Sequence, residues 1–192
     1  MRCLLALVLV GCATAGAPGN PKADASQQQQ MDAPHQQFDA PKSIDAPSQA
    51  TCNSGMTCAQ AMSVGTVSGD TGADSKTAMG YESSWFNVRV TENDSSVFAT
   101  PMNLTVNLTS PTGVNFDLYV YVNTGSDVTE CTTVSGQSMM TSGTDQVHLS
   151  WGESGTFSNG ADDSRTVSIE VRPVSGSCSS GSQFTLVVYG DL

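Results

Sequence analysis

The sequence predicts an all-β fold, an antiparallel β-sandwich of jelly-roll or immunoglobulin type with about eight strands, preceded by a disordered tether. After residue 51, apolar and polar residues alternate in six to eight short segments. No window of a dozen residues there shows a helical period, and Gly, Asn and Ser fill the intervening turns. Strands that are apolar on one face bury it by packing two sheets face to face. Periodicity does not choose between the two topologies.

The first eleven residues predict a lipoprotein signal peptide. Arg2 precedes an apolar run, residues 4–10, that is too short to span a bilayer as a helix. The segment LVGC at 9–12 resembles the lipobox of bacterial lipoproteins. That resemblance implies cleavage before Cys12 and lipid attachment to it, hence a place in the bacterial cell envelope, at the outer membrane. An ordinary signal peptide, cleaved near residues 13–17, is the alternative.

Residues 12–50 predict a lipid-bearing, disordered linker. Ala, Pro, Gln and Asp dominate this stretch, and Asp-Ala-Pro recurs at 32–34, 39–41 and 45–47. So few large apolar side chains cannot offset the loss of chain entropy on folding. We expect a flexible spacer with an average span of about 35 Å. A recognition motif built from the repeated tripeptide is the alternative.

Residues 51–192 predict a single domain with enough chain for a core. The segments with the strongest alternation are WFNVRVT (85–91), NLTVNLT (103–109), FDLYVYV (116–122), QVHLSW (146–151), RTVSIEVR (165–172) and QFTLVVY (183–189). MSVGTV (62–67) and SVFAT (96–100) are weaker candidates. Within each strong segment the apolar residues fall on every second position, so they share one face of the strand.

Charge excludes two classes of partner. The formal net charge is −11, and residues 51–192 hold fourteen acidic side chains against Lys76, Arg89, Arg165 and Arg172. An acidic surface without a basic patch repels phosphate backbones, so we expect no nucleic-acid partner. It also disfavours docking on anionic lipid headgroups, so the lipid anchor is the expected contact with the membrane. We expect a monomer.

Cysteine usage predicts two disulfides. Beyond the signal peptide and Cys12, the remaining cysteines are Cys52, Cys58, Cys131 and Cys178. An even number in an exported chain favours disulfides, although four cysteines allow three connectivities. Because Cys52 and Cys58 are close in sequence, we expect them to pair. The other bond would then join Cys131 to Cys178. The spacing, without a nearby histidine, fits no zinc pattern.

The order of several segments resembles a known family. Trp85-Phe86 opens one strand, FDLYVY follows a Ser-Pro-Thr-Gly turn at 116–121, and FTL opens the last strand at 184–186. Over residues 62–190 this order is similar to the bacterial pre-peptidase C-terminal domain, a β-sandwich that accompanies many secreted proteases. In that family the domain usually follows a catalytic domain, and here a lipid anchor and tether are expected instead. We therefore do not expect the role of a protease's accessory piece to transfer directly.

The sequence of the domain indicates no catalytic site. A Ser-His-Asp site needs a histidine between nucleophile and acid. His148, the one histidine after the tether, alternates with apolar neighbours and is expected to be a solvated surface residue. The segment GESGT at 152–156 departs from the G-x-S-x-G nucleophile elbow at Thr156. We expect the protein not to be an enzyme and to carry no cofactor.

Acidic residues cluster in turns. The clusters are Asp70 with Asp74, Glu92 with Asp94, and Asp162 with Asp163, which Glu153 could approach. Calcium is bound by such loops, and some relatives in the resembled family bind it, but the D-x-D-x-D-G spacing is missing. Aspartates in turns usually cap their own backbone, and we expect that role here. Asp117 is likewise expected to accept amide hydrogens from the turn at 110–115 or to restrain pairing at the sheet edge.

Tyr119 and Tyr121 form the candidate ligand surface. Both lie on the polar face of the 116–122 segment. Tyrosines exposed in a row offer a stacking surface for a sugar or a protein, and cover by a neighbouring loop is the alternative. The sequence thus predicts a non-catalytic binding or adhesion module whose partner is an unknown extracellular protein or glycan. The alternatives are an accessory module that docks on a separate secreted enzyme, and a hydrolase of unfamiliar type.

Overall fold

A computed structural model describes residues 52–98, 100–153, 156 and 160–190. The predicted lipid attachment site, Cys12, and the linker up to residue 50 lie outside these residues. Within the described ranges, nine strands form two sheets, and the one helical element is a 3₁₀ helix, Cys58–Gln60. None of the described helices has the length and apolar character needed to cross a membrane. The predicted β-sandwich is confirmed.

The strands are Met62–Ser68 (β1), Ser75–Gly80 (β2), Ser84–Thr91 (β3), Met102–Thr109 (β4), Asn115–Tyr121 (β5), Gly136–Ser138 (β6), Thr144–Trp151 (β7), Arg165–Ser175 (β8) and Phe184–Gly190 (β9). The five-stranded sheet has the order β1-β3-β8-β5-β6, and the four-stranded sheet has the order β2-β9-β4-β7. Neighbouring strands pair antiparallel, except that β1 runs parallel to β3. The register of that pair shifts between Ser63 and Gly65.

Seven of the eight predicted strands occur within a few residues of their predicted bounds. The prediction for residues 96–100 was wrong, because the Asp94 carboxylate accepts hydrogen bonds from the Ser96 amide and the Thr100 hydroxyl. These bonds hold the described part of the segment in turns rather than in a ladder. Two strands, β2 and β6, were not predicted, and both are edge strands with partly exposed side chains.

The core lies between the two sheets, where the alternating residues of both meet. Three phenylalanine rings mark its centre: Phe184 lies 5.0 Å from Phe116 and 6.2 Å from Phe86, both in edge-to-face contact. All three side chains are fully buried, and each such burial stabilises by about 1.5–3 kcal/mol. Gly80 ends β2 against the same cluster. A Cβ at this position would lie 2.6 Å from Cζ of Phe184, so the position is closed to larger residues.

Candidate functional site

Residues 52–61, the strap, lie over the outer face of the five-stranded sheet. At one end, the Cys52 carbonyl accepts a hydrogen bond of 2.8 Å from the Ser83 amide just before β3. At the other, Sγ of Cys58 lies 3.5 Å from Oγ of Ser168, a fully buried residue of β8. Ser168 pairs with Tyr121 of β5 in the sheet register. The strap therefore crosses from β3 toward β8 and covers part of this face.

Two disulfides fix the strap, and the expected pairing was wrong. Cys52 is bonded to Cys178, and Cys58 is bonded to Cys131, with Cα atoms 5.5 and 6.0 Å apart. The reason is geometric: the residues between the two strap cysteines span a distance of up to about 20 Å when extended. Their ends therefore lie beside different strands and meet different partners. All four cysteines do form disulfides, as predicted.

Five side chains on the same face form what we call the outer-face cluster: Trp85 of β3, Tyr119 and Tyr121 of β5, and Glu170 and Arg172 of β8. The register explains the grouping, because Glu170 pairs with Trp85 on one side and Tyr119 on the other. Residues that are opposite each other in neighbouring strands project to the same face.

Glu170 and Arg172 are the ionic centre of the outer-face cluster. Nη2 of Arg172 donates to Oε2 of Glu170 at 2.6 Å and to the Tyr121 hydroxyl oxygen at 3.1 Å. The Tyr121 hydroxyl in turn donates to the same Glu170 oxygen, also at 2.6 Å. The guanidinium carbon of Arg172 lies 4.0 Å from the ring centroid of Tyr119, a cation–π contact. Arginine is suited to both contacts at once, since its planar group stacks while its N–H groups donate.

Burial and charge shift two pKa values in the cluster. Desolvation by burial, followed by the hydrogen bond to Glu170, raises the pKa of the Tyr121 hydroxyl. The hydrogen bond to Glu170 likewise raises the pKa of Arg172. Both shifts keep the tyrosine neutral and the arginine charged across the physiological range. The hydrogen bonds that Tyr121 and Arg172 donate to Glu170 are therefore kept across that range.

A cleft of about 500 Å³ opens beside the cluster. Its walls include Trp85, Glu170 and Arg172 from the sheet and Met56 from the strap. The side chain of Arg172 remains 46% exposed, whereas that of Glu170 is 14% exposed. The cleft thus offers an aromatic ring, an apolar thioether and a positively charged group with solvent-facing N–H groups, a combination that suits a small polar ligand or a projecting side chain.

The two predicted ligand-surface tyrosines differ in accessibility. Tyr121 is only 2% exposed, because the Trp85 ring lies 5.3 Å from its own ring. Tyr119 is half-buried, and its hydroxyl contacts Sδ of Met139 at 3.4 Å. Sequence reasoning missed Trp85, Glu170 and Arg172 as members of this surface. The alternation in their segments places each on a polar face, but not on the same face as the tyrosines, which only the strand order shows.

The prediction that the Asp117 carboxylate accepts the amides of the preceding turn was wrong for the amide of Phe116. The hydroxyl of Ser110, not the carboxylate, accepts the Phe116 amide at 3.0 Å. Asp117 is buried beside Asp145 of β7 and pairs with Arg172 in the sheet register. Desolvation, followed by repulsion from Asp145, raises the pKa of Asp117. Its burial between an acid and a base leaves it inside the scaffold at the edge of the cluster.

One acidic group of the predicted kind does assemble. Carboxylate oxygens of Glu92, Glu153 and Asp163 lie within 4.8 Å of one another. Each is already engaged: Glu92 accepts the Asp163 amide, Glu153 accepts the Gly160 amide, and Asp163 accepts from Nη2 of Arg165 at 3.0 Å. Desolvation, opposed by that amide bond and reinforced by the neighbouring acids, raises the pKa of Glu92.

Two further acidic residues of the predicted clusters, Asp70 and Asp162, cap backbone, as expected. The Asp70 carboxylate is 5% exposed and accepts the amides of Asn93 and Asp94 at 2.7–3.0 Å. The hydroxyl and the backbone amide of Ser164 both donate hydrogen bonds to the Asp162 carboxylate, and these bonds lower its pKa. These bonds join the β3–β4 turn and the start of β8 to the neighbouring loops. The acidic end of the sandwich is thus held by carboxylate caps.

The candidate catalytic residues do not assemble with partners in the described residues. His148 is exposed, as predicted, and its Nδ1 lies 3.0 Å from the Thr105 hydroxyl on the outer face of the four-stranded sheet. Ser154 of the GESGT segment lies outside the described residues. The described contacts of His148 are those of a cross-strand pair on a surface.

No protein-family model matches the chain, and no curated protein sequence matches it. Among solved structures, the chain is similar to the 1.0 Å crystal structure of the pre-peptidase C-terminal domain of collagenase from Bacillus anthracis. The two are 8% identical, with a TM-score of 0.37, over 67% of this chain and 95% of that one. A similarity at this level carries no conclusion about function, and the family resemblance of the sequence motifs stays a prediction.

Proposed function

We propose that this protein is a lipoprotein of the bacterial cell envelope that holds a non-catalytic binding module at the end of a tether. The observation that carries the proposal is the cleft at the outer-face cluster, where Trp85 and Arg172 are accessible on a rigid sheet. Ligand sites are typically concave, with aromatic walls and a few fixed polar groups. The lipobox-like segment ending at Cys12 and the polar linker supply the expected anchor and spacer.

Rigidity is the second support for a binding role. Two disulfides hold the strap at Cys52 and Cys58, and the Glu170–Arg172–Tyr121 network orders the floor of the cleft. A preorganised surface loses little conformational entropy on binding. Nothing in this arrangement brings a nucleophile to a base, so we propose recognition without turnover.

The binding site is tested with two variants of the full-length protein and a matched control. Trp85→Ala and Arg172→Ala remove the ring and the charge of the cleft. Arg89→Ala removes a half-buried arginine that pairs with Asp127 on the same face. In pull-downs from envelope extracts, we expect the first two variants to lose retention about tenfold. We expect Arg89→Ala to bind like the wild type.

The identity of what is retained separates the two proposed roles. Retention on polysaccharide or foreign matrix favours adhesion, and a stoichiometric secreted enzyme favours an accessory module. Met139, which contacts Tyr119, and the next residue, Met140, are both more than half exposed. They favour the second candidate, because methionine is enriched at protein interfaces. Hydrolysis of a peptide, ester or glycan panel that is lost in His148→Ala would contradict both roles.

The anchor has its own test. Cys12→Ser removes the only residue of the lipobox-like segment that can carry lipid, so we expect the protein to move from the membrane fraction to the soluble fraction. If Cys12→Ser stays in the membrane fraction, the proposed lipid anchor is wrong. The proposed binding module does not depend on this result.

A further inference from the structure

The outer face of the four-stranded sheet carries no charged side chain. Fourteen positions project from it, three each from β2 and β9 and four each from β4 and β7. Five are Thr, two Ser, two Asn and one Gln, and the rest are His148, Tyr189, Val187 and Met79. All eighteen charged residues of segment 51–192 lie elsewhere. Lys76 of β2 and Asp145 of β7 take inward positions: Lys76 lies against Gly65 of β1, and Asp145 is buried.

The lack of charged side chains distinguishes this face from the rest of the surface. In a chain with net charge −11, charged side chains normally intersperse an exposed sheet and keep molecules apart. Eight of the fourteen side chains here are exposed, so the face is open to a partner. A charged partner would lose hydration there without gaining an opposite charge. A neutral partner rich in hydroxyl groups can exchange its hydrogen bonds with water for bonds to the face.

The face is also ordered before anything binds. Nε2 of Gln146 donates to Oδ1 of Asn107 at 2.9 Å, and the hydroxyls of Thr109 and Thr144 lie 3.2 Å apart. These bonds join β4 to the edge strand β7. Threonine is stiff at χ1 because it branches at Cβ. Hydroxyl and amide groups are therefore presented in fixed rows, which lowers the entropy lost on binding.

The residue types distinguish a sugar from a protein. Protein interfaces concentrate aromatic residues, Met and Arg at their centre and are depleted in Ser. Here Tyr189, half-buried between Ser75 and Thr105 in the register, offers one ring, and its neighbours in the row are hydroxyl-bearing. The phenol ring of Tyr189 among hydroxyl and amide groups fits a sugar ring stacked on tyrosine, with the hydroxyls of the sugar bonded around it.

We propose that the outer face of the four-stranded sheet binds a neutral polysaccharide. This surface shares no residue with the outer-face cluster, which lies on the other sheet. The inference therefore goes beyond the proposed ligand cleft, and each surface can fail without the other.

Affinity electrophoresis of the full-length protein in detergent tests the proposal. The probes are three neutral polysaccharides, dextran, galactomannan and hydroxyethylcellulose, with the polyanion alginate as comparison. We expect retardation by at least one neutral probe and none by alginate. Raising the salt concentration from about 50 to about 500 mM should leave that retardation unchanged, because no ion pair takes part. The absence of retardation by all three neutral probes would overturn the proposal, as would salt-sensitive binding to alginate.

Variants that place positive charge on the face, with a control on the other sheet, test the proposal a second time. Gln146→Lys combined with Thr77→Lys puts two charges at exposed positions of the face, and we expect binding to weaken about tenfold. Gln137→Lys places the same change on exposed β6 of the other sheet and should bind as the wild type does. A melting temperature of the double lysine variant equal to that of the wild type excludes a loss caused by misfolding. Equal binding by the double lysine variant and the wild type would overturn the proposal.

Discussion

The indole ring of Trp85 lies 5.3 Å from the phenol ring of Tyr121, tilted by 32°. The two residues belong to β3 and β5, which are not neighbours, since β8 runs between them. Their long side chains meet above β8, where Glu170 accepts the Tyr121 hydroxyl. This contact leaves Trp85 facing the cleft and Tyr121 beneath it.

Removal of the indole should expose the tyrosine. In Trp85→Ala we expect Tyr121 to become accessible. The free energy of unfolding should fall by about 1–3 kcal/mol, because a partly buried indole that packs on a buried tyrosine is lost. Acetylation with N-acetylimidazole, mapped by mass spectrometry, measures the accessibility. Tyr119 in the same samples is the internal control. A Tyr121 that stays unmodified in the variant would contradict the described packing.

The raised pKa of Tyr121 predicts a loss of stability at alkaline pH. Its ordinary value is 10.0, and the folded value is higher because burial and Glu170 oppose the phenolate. The unfolded chain therefore loses its proton first, so the stabilisation is complete below about pH 10 and is lost as the pH rises further. Tyr121→Phe should flatten this part of the stability curve. An unchanged alkaline slope in the variant would exclude Tyr121 as its source.

The disulfide connectivity has a direct test in peptide mapping. A non-reducing digest should contain Cys52 linked to Cys178 and Cys58 linked to Cys131. In the chain-entropy view, closing loops of 126 and 73 residues stabilises by about 5 and about 4 kcal/mol, with measured losses of about 2–5 kcal/mol for native bridges. The Cys52→Ser, Cys178→Ser double variant should therefore melt far lower, in a calorimetric measurement, than the intact protein. A peptide in which Cys52 is linked to Cys58 would contradict the connectivity that fixes the strap.

The sequence predicted the presence of the disulfides but not their partners, for a physical reason. Short separation favours pairing only if the intervening chain turns back, and the strap does not turn back. It pairs with Ser83 through an isolated parallel bridge at Asn53, a contact that no local pattern announces. The strand pattern was more informative, because burial on one face must repeat along each strand.

Glycine at position 80 is expected to be required by packing. Gly80→Ala places a methyl group against the ring of Phe184, which is itself fully buried and held by two other rings. We expect a destabilisation of about 1–3 kcal/mol, typical of an overpacked core. Gly72→Ala, where a Cβ meets nothing within 4 Å, is the comparison for space, although its positive φ adds backbone strain of its own. Chemical denaturation measures the free energy of unfolding of both variants. An unchanged value for Gly80→Ala would show that β2 shifts to make room for the methyl group.

Neutralising Glu92 should stabilise the protein. Its pKa is raised from 4.5, so its contribution to stability is present below that pH and is lost as the pH rises through the folded value. Glu92→Gln keeps an oxygen for the Asp163 amide and removes one of the clustered charges. We expect a gain of up to about 1 kcal/mol at pH 7, limited by solvent screening, and no gain at pH 4. A lower melting temperature of Glu92→Gln at pH 7 would contradict this expectation. It would show that the negative charge of Glu92 stabilises the fold, as a charge that holds a bound cation would.

The candidate site was only half visible in the sequence. Alternation placed Tyr119 and Tyr121 on a polar face, and that placement is confirmed. The cluster also needed Trp85 and Arg172, which lie 36 and 51 positions from Tyr121. Their proximity depends on β8 lying between β3 and β5, and strand order is set by long-range packing that periodicity does not encode.

Site-specific photo-crosslinking tests the central claim, that the cleft is where a partner binds. Val174, 58% exposed at the cleft, would be replaced by benzoylphenylalanine in the full-length protein on intact cells, with the 66% exposed Val97 beyond the far end of β3 as control. We predict an adduct with one partner from position 174 that disappears when Trp85→Ala is added, and no such adduct from position 97. Equal adducts from both positions, or an adduct at 174 that persists without Trp85, would contradict the account.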